Sequence, residues 1–237
     1  MIALVTGASS GIGKDITYEL IKRGYEVIAV AREQDKLDEL KSKLYQVIEC
    51  IAMDLSIREN CFKLYEMTKK YDIDILVNNA GFGTIGNFTE TDLAKELGMI
   101  DTNCIALHIL FKLYLKDMVK KNKGYILNVA SIASFSPGPN MATYFATKSY
   151  VYRLTQSVYQ ELKWKKSKVK DTALCPSPTR TAFDKTANVL ALFSLAFFSI
   201  TLATLTSSAR YTTGTDGLII PAFSLAIFSI VSPSISI

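Results

Sequence analysis

Apolar runs of five or six residues recur along the chain, and amphipathic stretches separate them. MIALVT (1–6) and EVIAVA (26–31) show almost no polar alternation, the pattern of strands buried on both faces of a parallel sheet. Between them Ile12, Ile16, Leu20 and Ile21 form a helical stripe that stops at Gly24. A helix over about 35–44, a strand ending in IAMDL (51–55) and a helix over about 57–70 continue the alternation. IDILVNNAGFG (73–83) reads as a fourth strand running into a polar, glycine-rich end. A long helical stretch spans about 91–120, YILNVAS (125–131) is a fifth β-type run, and a helix runs from about Met141 to Lys165. This alternation predicts a single doubly wound, Rossmann-type α/β domain with a mainly parallel sheet of about seven strands.

Composition adjusts the picture only slightly. With 237 residues, 49% hydrophobic and 21% charged, the chain is long enough for one large core. The net charge of +5 comes from scattered lysines, whereas a nucleic-acid surface needs a clustered stripe. The one dense run, KWKKSKVK (163–170), fits a helix end, where lysines complement the dipole. Cys50, Cys61, Cys104 and Cys175 have neither metal-ligand spacing nor a CxxC pair, which predicts reduced thiols, no metal site and a cytoplasmic setting. The chain opens directly in a strand, with no signal-peptide pattern.

The candidate chemistry lies at the strand ends. Gly7, Gly11 and Gly13 punctuate a turn between the first strand and its helix, where tight backbone can approach a pyrophosphate at the helix N-terminus. After the second strand, Ala31 fills the place where an acidic residue would bind a ribose 2′-hydroxyl, and Arg32 suits a 2′-phosphate; NADP is the cofactor this predicts. Tyr144 and Lys148 stand one helical turn apart, so the ammonium can favour the phenolate and lower the tyrosine pKa. Ser131 lies thirteen positions before that tyrosine, at the end of a β-type run. Asn103 sits in an apolar helix segment, where an amide needs hydrogen-bond partners. His108, the single histidine, has no carboxylate or metal partner in view and reads as an ordinary helix residue.

TGASSGIG (6–13), NNAG (78–81), Asn103, Ser131 and Tyr144-x-x-x-Lys148 together resemble the short-chain dehydrogenase/reductase family in its NADP-preferring form. The resemblance covers about residues 1–186 and implies a catalytic tetrad of Asn103, Ser131, Tyr144 and Lys148. It implies that Gly7, Ser9, Ser10, Gly11, Ile12 and Gly13 line the cofactor phosphates and ribose. Asp54 and Leu55 would flank the adenine beside Asn79, Ala80 and Gly81, while Tyr144 and Lys148 also touch the cofactor. By the same resemblance VKDTALCPSPTRT (169–181) would be a sixth strand and the nicotinamide-side loop, in which Pro176, Thr179 and Thr181 would hold the carboxamide and a phosphate, and GLIIP (217–221) could be the seventh strand. One departure is Ser177, where the family usually has glycine; a left-handed backbone there would be strained. The resemblance further implies a small-molecule carbonyl or alcohol as substrate and a homodimer or homotetramer built on the two long helices. A non-catalytic NADP(H)-binding sensor or scaffold with the same fold is the rival reading.

Residues 187–237 differ from the dinucleotide-binding catalytic domain expected over 1–186. Of 27 Lys+Arg only Arg210 lies there, and of 22 Asp+Glu only Asp216. Three readings stand open: a lid or oligomer interface, a membrane-embedded segment, or a stretch that departs from the natural sequence through a frameshift.

Overall fold

The computed structural model of the protein describes residues 1–177. Six parallel strands form one sheet in the order β3-β2-β1-β4-β5-β6. They are β1 (Ile2–Thr6), β2 (Glu26–Ala31), β3 (Val47–Ala52), β4 (Ile73–Asn78), β5 (Tyr125–Val129) and β6 (Lys170–Leu174). The expected seventh strand at 217–221 and the segment 187–237 lie outside the described residues. Ala3, Leu4 and Val5 of β1 have no solvent exposure, which is why that run reads as unbroken apolar sequence.

Helices cover both faces. On one, α1 (Gly11–Lys22) and α2 (Gln34–Lys43) pack Ile16, Leu20, Leu37 and Leu40 against Val5, Val27, Ala29 and Val77. On the other, α3 (Arg58–Thr68), α5 (Leu107–Lys121) and α6 (Ala142–Trp164) pack Leu64, Leu110, Met118 and Val151 against Leu4, Ile28, Leu76 and Ile126. The chain winds outward from β1 to β3, then returns to place β4 on the other side of β1. The reversal falls at β1 and β4, and in open sheets of this kind the carboxyl ends of the strands at such a reversal form the ligand cleft.

Two sequence expectations change. The strand expected to end at Leu55 stops at Ala52. Asp54 then turns the chain, its carboxylate accepting from the Ser56 N–H and hydroxyl. The helix expected over 91–120 is three pieces: α4 (Leu93–Ile100), a π-helical turn over Asp101–Ala106, and α5. A π turn inserts one residue into the helical ladder, which apolar periodicity does not signal.

One buried group interrupts the second face. Asp171 of β6 is 5% exposed and neither carboxylate oxygen has a hydrogen-bond partner among the described residues. It stands on the same side of its strand as Val169 and Ala173, which pack in the α6-side cluster. Burial pushes its pKa up to about 7.

Candidate active site

The phosphate turn is built where β1 meets α1. Gly7 has φ +66, and a Cβ there would come within 2.7 Å of Asn79 Nδ2. A Cβ at Gly13 would lie 2.2 Å from the Gly7 carbonyl oxygen, so only glycine allows α1 to start this close to the turn. Ser10 is the N-cap of α1 but makes no side-chain capping bond, and the first turn holds no acidic residue. The Lys14 N–H is the first to bond back, to the Ser10 carbonyl, which leaves the Gly11, Ile12 and Gly13 N–H groups at the positive end of the helix without intrahelical acceptors. Ser9 and Ser10 lie on the open side of this turn, half-buried and exposed. A glycine cradle facing uncapped N–H groups fits a dinucleotide pyrophosphate.

Asn79 closes the cradle. Its Nδ2 donates to the carbonyls of Thr6 and Gly7 at 3.0 and 3.2 Å. Thr6 Oγ1 accepts from the Asn79 and Ala80 N–H groups at 2.9 and 3.0 Å and donates to the Val77 carbonyl. Thr6 was not among the site residues expected from sequence; its position at the strand end, directly before Gly7, was the available signal. Arg32 follows buried Ala31 at the end of β2 and is exposed. Asp54 is half-buried and Leu55 buried beyond β3.

The catalytic candidates converge around α6. Ser131 caps a 3₁₀ turn (Ile132–Phe135), its Oγ accepting from the Ala133 N–H at 3.1 Å. The same hydroxyl hydrogen-bonds the Tyr144 phenol. Lys148 is buried, its ammonium donating to the Val129 carbonyl at 2.8 Å and lying 5.9 Å from the Tyr144 ring centre. The Ser134 hydroxyl donates to the Lys148 carbonyl at 2.8 Å, and Ser149 donates to the Ser134 carbonyl, so the 3₁₀ turn is tied to α6.

The electrostatics differ from the sequence expectation. Burial raises the Tyr144 pKa above the ordinary phenol value, and the Ser131 hydrogen bond opposes that rise. Burial also pulls Lys148 down to about 8. In this arrangement Tyr144 keeps its proton at neutral pH. It is therefore set as a proton donor, not yet as a phenolate.

Asn103 lies in the π turn and is 1% exposed. Its Oδ1 accepts from the Phe82 N–H at 3.0 Å, and its Nδ2 donates to the Phe82 carbonyl and to Thr147 Oγ1 at 2.9 and 3.0 Å. The amide thus pins the loop after β4 to α6, one residue before Lys148. Gly81 is exposed and borders both Asn103 Oδ1 and Lys148 Nζ. Thr147, also unexpected from sequence, supplies the link. Beneath the cleft Asn78 donates to Asn128 Oδ1, and Asn128 donates to Thr155 Oγ1, a buried row joining β4 and β5 to α6.

Pro176 is half-buried beyond β6, while Thr179 and Thr181 lie outside the described residues. The non-glycine positions with positive φ are Asn122, Asn140 and Lys166 among the described residues, so Ser177 carries no such strain. His108 pairs with Tyr150, its Nδ1 lying 2.7 Å from the hydroxyl, on the surface of α5 and α6.

Comparison with known proteins fits this geometry. A family profile described as short chain dehydrogenase matches residues 1–191. An uncharacterized oxidoreductase of Staphylococcus epidermidis is 32% identical over 183 residues, covering 76% of this chain and 78% of its own length. A short-chain dehydrogenase from Sphingobium yanoikuyae in complex with NADPH superposes with a TM-score of 0.74 at 30% identity, over 79% of this chain and 74% of its own. The closed form of a serine dehydrogenase complexed with NADP+ gives 0.74 at 32% identity, over 79% and 77%.

Proposed function

This chain belongs to the short-chain dehydrogenase family, and from that premise we propose that it interconverts a carbonyl and an alcohol with NADP(H). The observation that carries the reading is the Ser131–Tyr144–Lys148 group, its serine and lysine buried and its tyrosine half-buried, at the same sheet edge as the glycine cradle. A bound nicotinamide dinucleotide supplies hydride to the carbonyl carbon, or accepts it in the reverse direction. Ser131 donates a hydrogen bond to the carbonyl oxygen and Tyr144 gives it the proton. Lys148 holds charge beside the phenol and binds the cofactor ribose. Asn103 fixes the loop after β4 against α6, so the donors keep their places.

Gly7, Ser9, Ser10, Gly11, Ile12 and Gly13 would hold the phosphates, Arg32 the 2′-phosphate, and Asp54, Leu55, Asn79, Ala80 and Gly81 the adenosine side. Pro176, Thr179 and Thr181 would hold the nicotinamide side. The preference for NADP over NAD rests on Arg32 and the absence of an acid at Ala31. Residues 1–186 then form the catalytic domain, with 187–237 as a segment of different character. The protein works in the cytoplasm on a small molecule, as a homodimer or homotetramer.

The test is steady-state turnover against a panel of carbonyls. Tyr144→Phe removes one oxygen and keeps the ring, so NADPH binding should survive while kcat falls by roughly 10²–10⁴-fold. Near-normal turnover by that variant would place the acid elsewhere and sink the reading.

A further inference from the structure

Glu96 is the one carboxylate of α4 taken out of solvent, at 8% exposure, on the side that faces α6. Its Oε1 accepts two hydrogen bonds, from Thr91 Oγ1 at 2.9 Å and from Thr143 Oγ1 at 3.0 Å. Thr143 precedes Tyr144 and lies in the first turn of α6. Met141, its N-cap residue, makes no side-chain capping bond, and the turn contains no acidic residue of its own. The Phe145 N–H bonds back to the Met141 carbonyl. A carboxylate at this end complements the helix dipole and fixes the threonine hydroxyl together.

We infer that Glu96 is a positioning residue for Tyr144: held between α4 and α6, it fixes the first turn of α6 and so sets where the phenol stands. A buried carboxylate needs such partners, because losing them leaves a charge in a poor solvent. Thr91 anchors the carboxylate from behind. Its methyl group leaves no room for a side chain at Gly86, where a Cβ would sit 2.7 Å from Thr91 Cγ2. The Gly86 N–H in turn donates to the Asn140 carbonyl at 2.9 Å, which ties this loop to the approach to α6. The chain 86–91–96–143 is therefore one brace, and Tyr144 stands at its end.

The inference rests on the reading of Tyr144 as the acid, so the test carries a readout that does not need turnover. The full chain is labelled with tyrosine carrying ¹³C at Cζ, and Tyr144→Phe identifies the Tyr144 signal among the twelve tyrosines. Glu96→Ala and Thr143→Val should each move the Tyr144 resonance in the cofactor-free protein and lower kcat by roughly tenfold or more, with cofactor affinity unchanged. The double variant should be no worse than either single one, because both break the same contact. Glu96→Gln and Thr143→Ser, which keep the hydrogen bond, should recover most of the loss. An unmoved Tyr144 resonance in both Glu96→Ala and Thr143→Val, or losses that add in the double variant, would overturn the inference. Shifted resonances in both variants, with a wild type that turns over no carbonyl, would uphold the brace and defeat the proposed function instead.

Discussion

Lys148 and Asp171 are both buried, and burial moves their pKa values in opposite directions. Lys148 titrates at about 8 in the fold and near 10.4 when unfolded. Between those values the unfolded chain binds more protons, so its contribution to stability improves as pH rises through the window. Lys148→Met should therefore gain on the wild type at pH 7 and lose that gain by about pH 10.4. Loss of the Val129 hydrogen bond offsets the whole curve, so the slope of Tm against pH is the measurement. Asp171 runs the other way, from near 3.9 unfolded to about 7 folded. Here the folded state holds the extra proton, and stability falls as pH rises from about 4 to 7. Asp171→Val should be more stable than wild type at pH 8 by on the order of 2–4 kcal/mol in urea unfolding, with the difference shrinking near pH 4. Equal pH slopes for Asp171→Val and wild type would mean that the carboxyl finds a partner in solution. The Tyr144–Lys148 spacing was legible in the sequence as a helical repeat, but the pKa order was not. Spacing gives proximity; burial decides the charge.

Elements were read better than their ends. Apolar runs located the first five strands because a parallel sheet covered on both faces favours hydrophobic sequence, while β6, with Lys170 and Asp171 in it, was located by the family resemblance. The break between α4 and α5 was not legible, since Ile100, Cys104 and Leu107 keep a pattern compatible with one continuous helix. The Asn103 amide was recognised as needing partners, and the structure supplies them from Phe82 and Thr147, residues distant in sequence. Glu96 looked like any helix acid because its partner Thr143 lies 47 positions away. The end of β2 offers a sharper test. The strand delivers Ala31 into the core and Arg32 into solvent, beside the cleft. Titration should find NADPH bound more tightly than NADH, with Arg32→Ala losing about 1.5–3 kcal/mol for NADPH alone. Equal affinities in the wild type would remove the argument for NADP.

At the scale of the molecule, the covered sheet accounts for the core, and apolar side chains remain outside it. Leu93, Leu97 and Ile100 follow one another at helical spacing along α4 with exposures of 67%, 51% and 37%. On the two long helices Phe111 is core at 2% exposure, and Tyr152 and Leu154 pack against the core. Light scattering at micromolar concentration should show a dimer or tetramer, and a monomer would reject that expectation. The cradle around Gly7 has a further consequence, one of timing. The side-chain amide that closes it, on Asn79, is 73 residues downstream of the Thr6 carbonyl it meets. A ribosome delivers the glycine turn first and its clasp only after three strands and three helices have passed. The nascent chain therefore holds an unfinished phosphate loop until β4 docks beside β1, a non-local pairing that forms slowly. The first motif to be synthesised waits for the fourth strand to be completed.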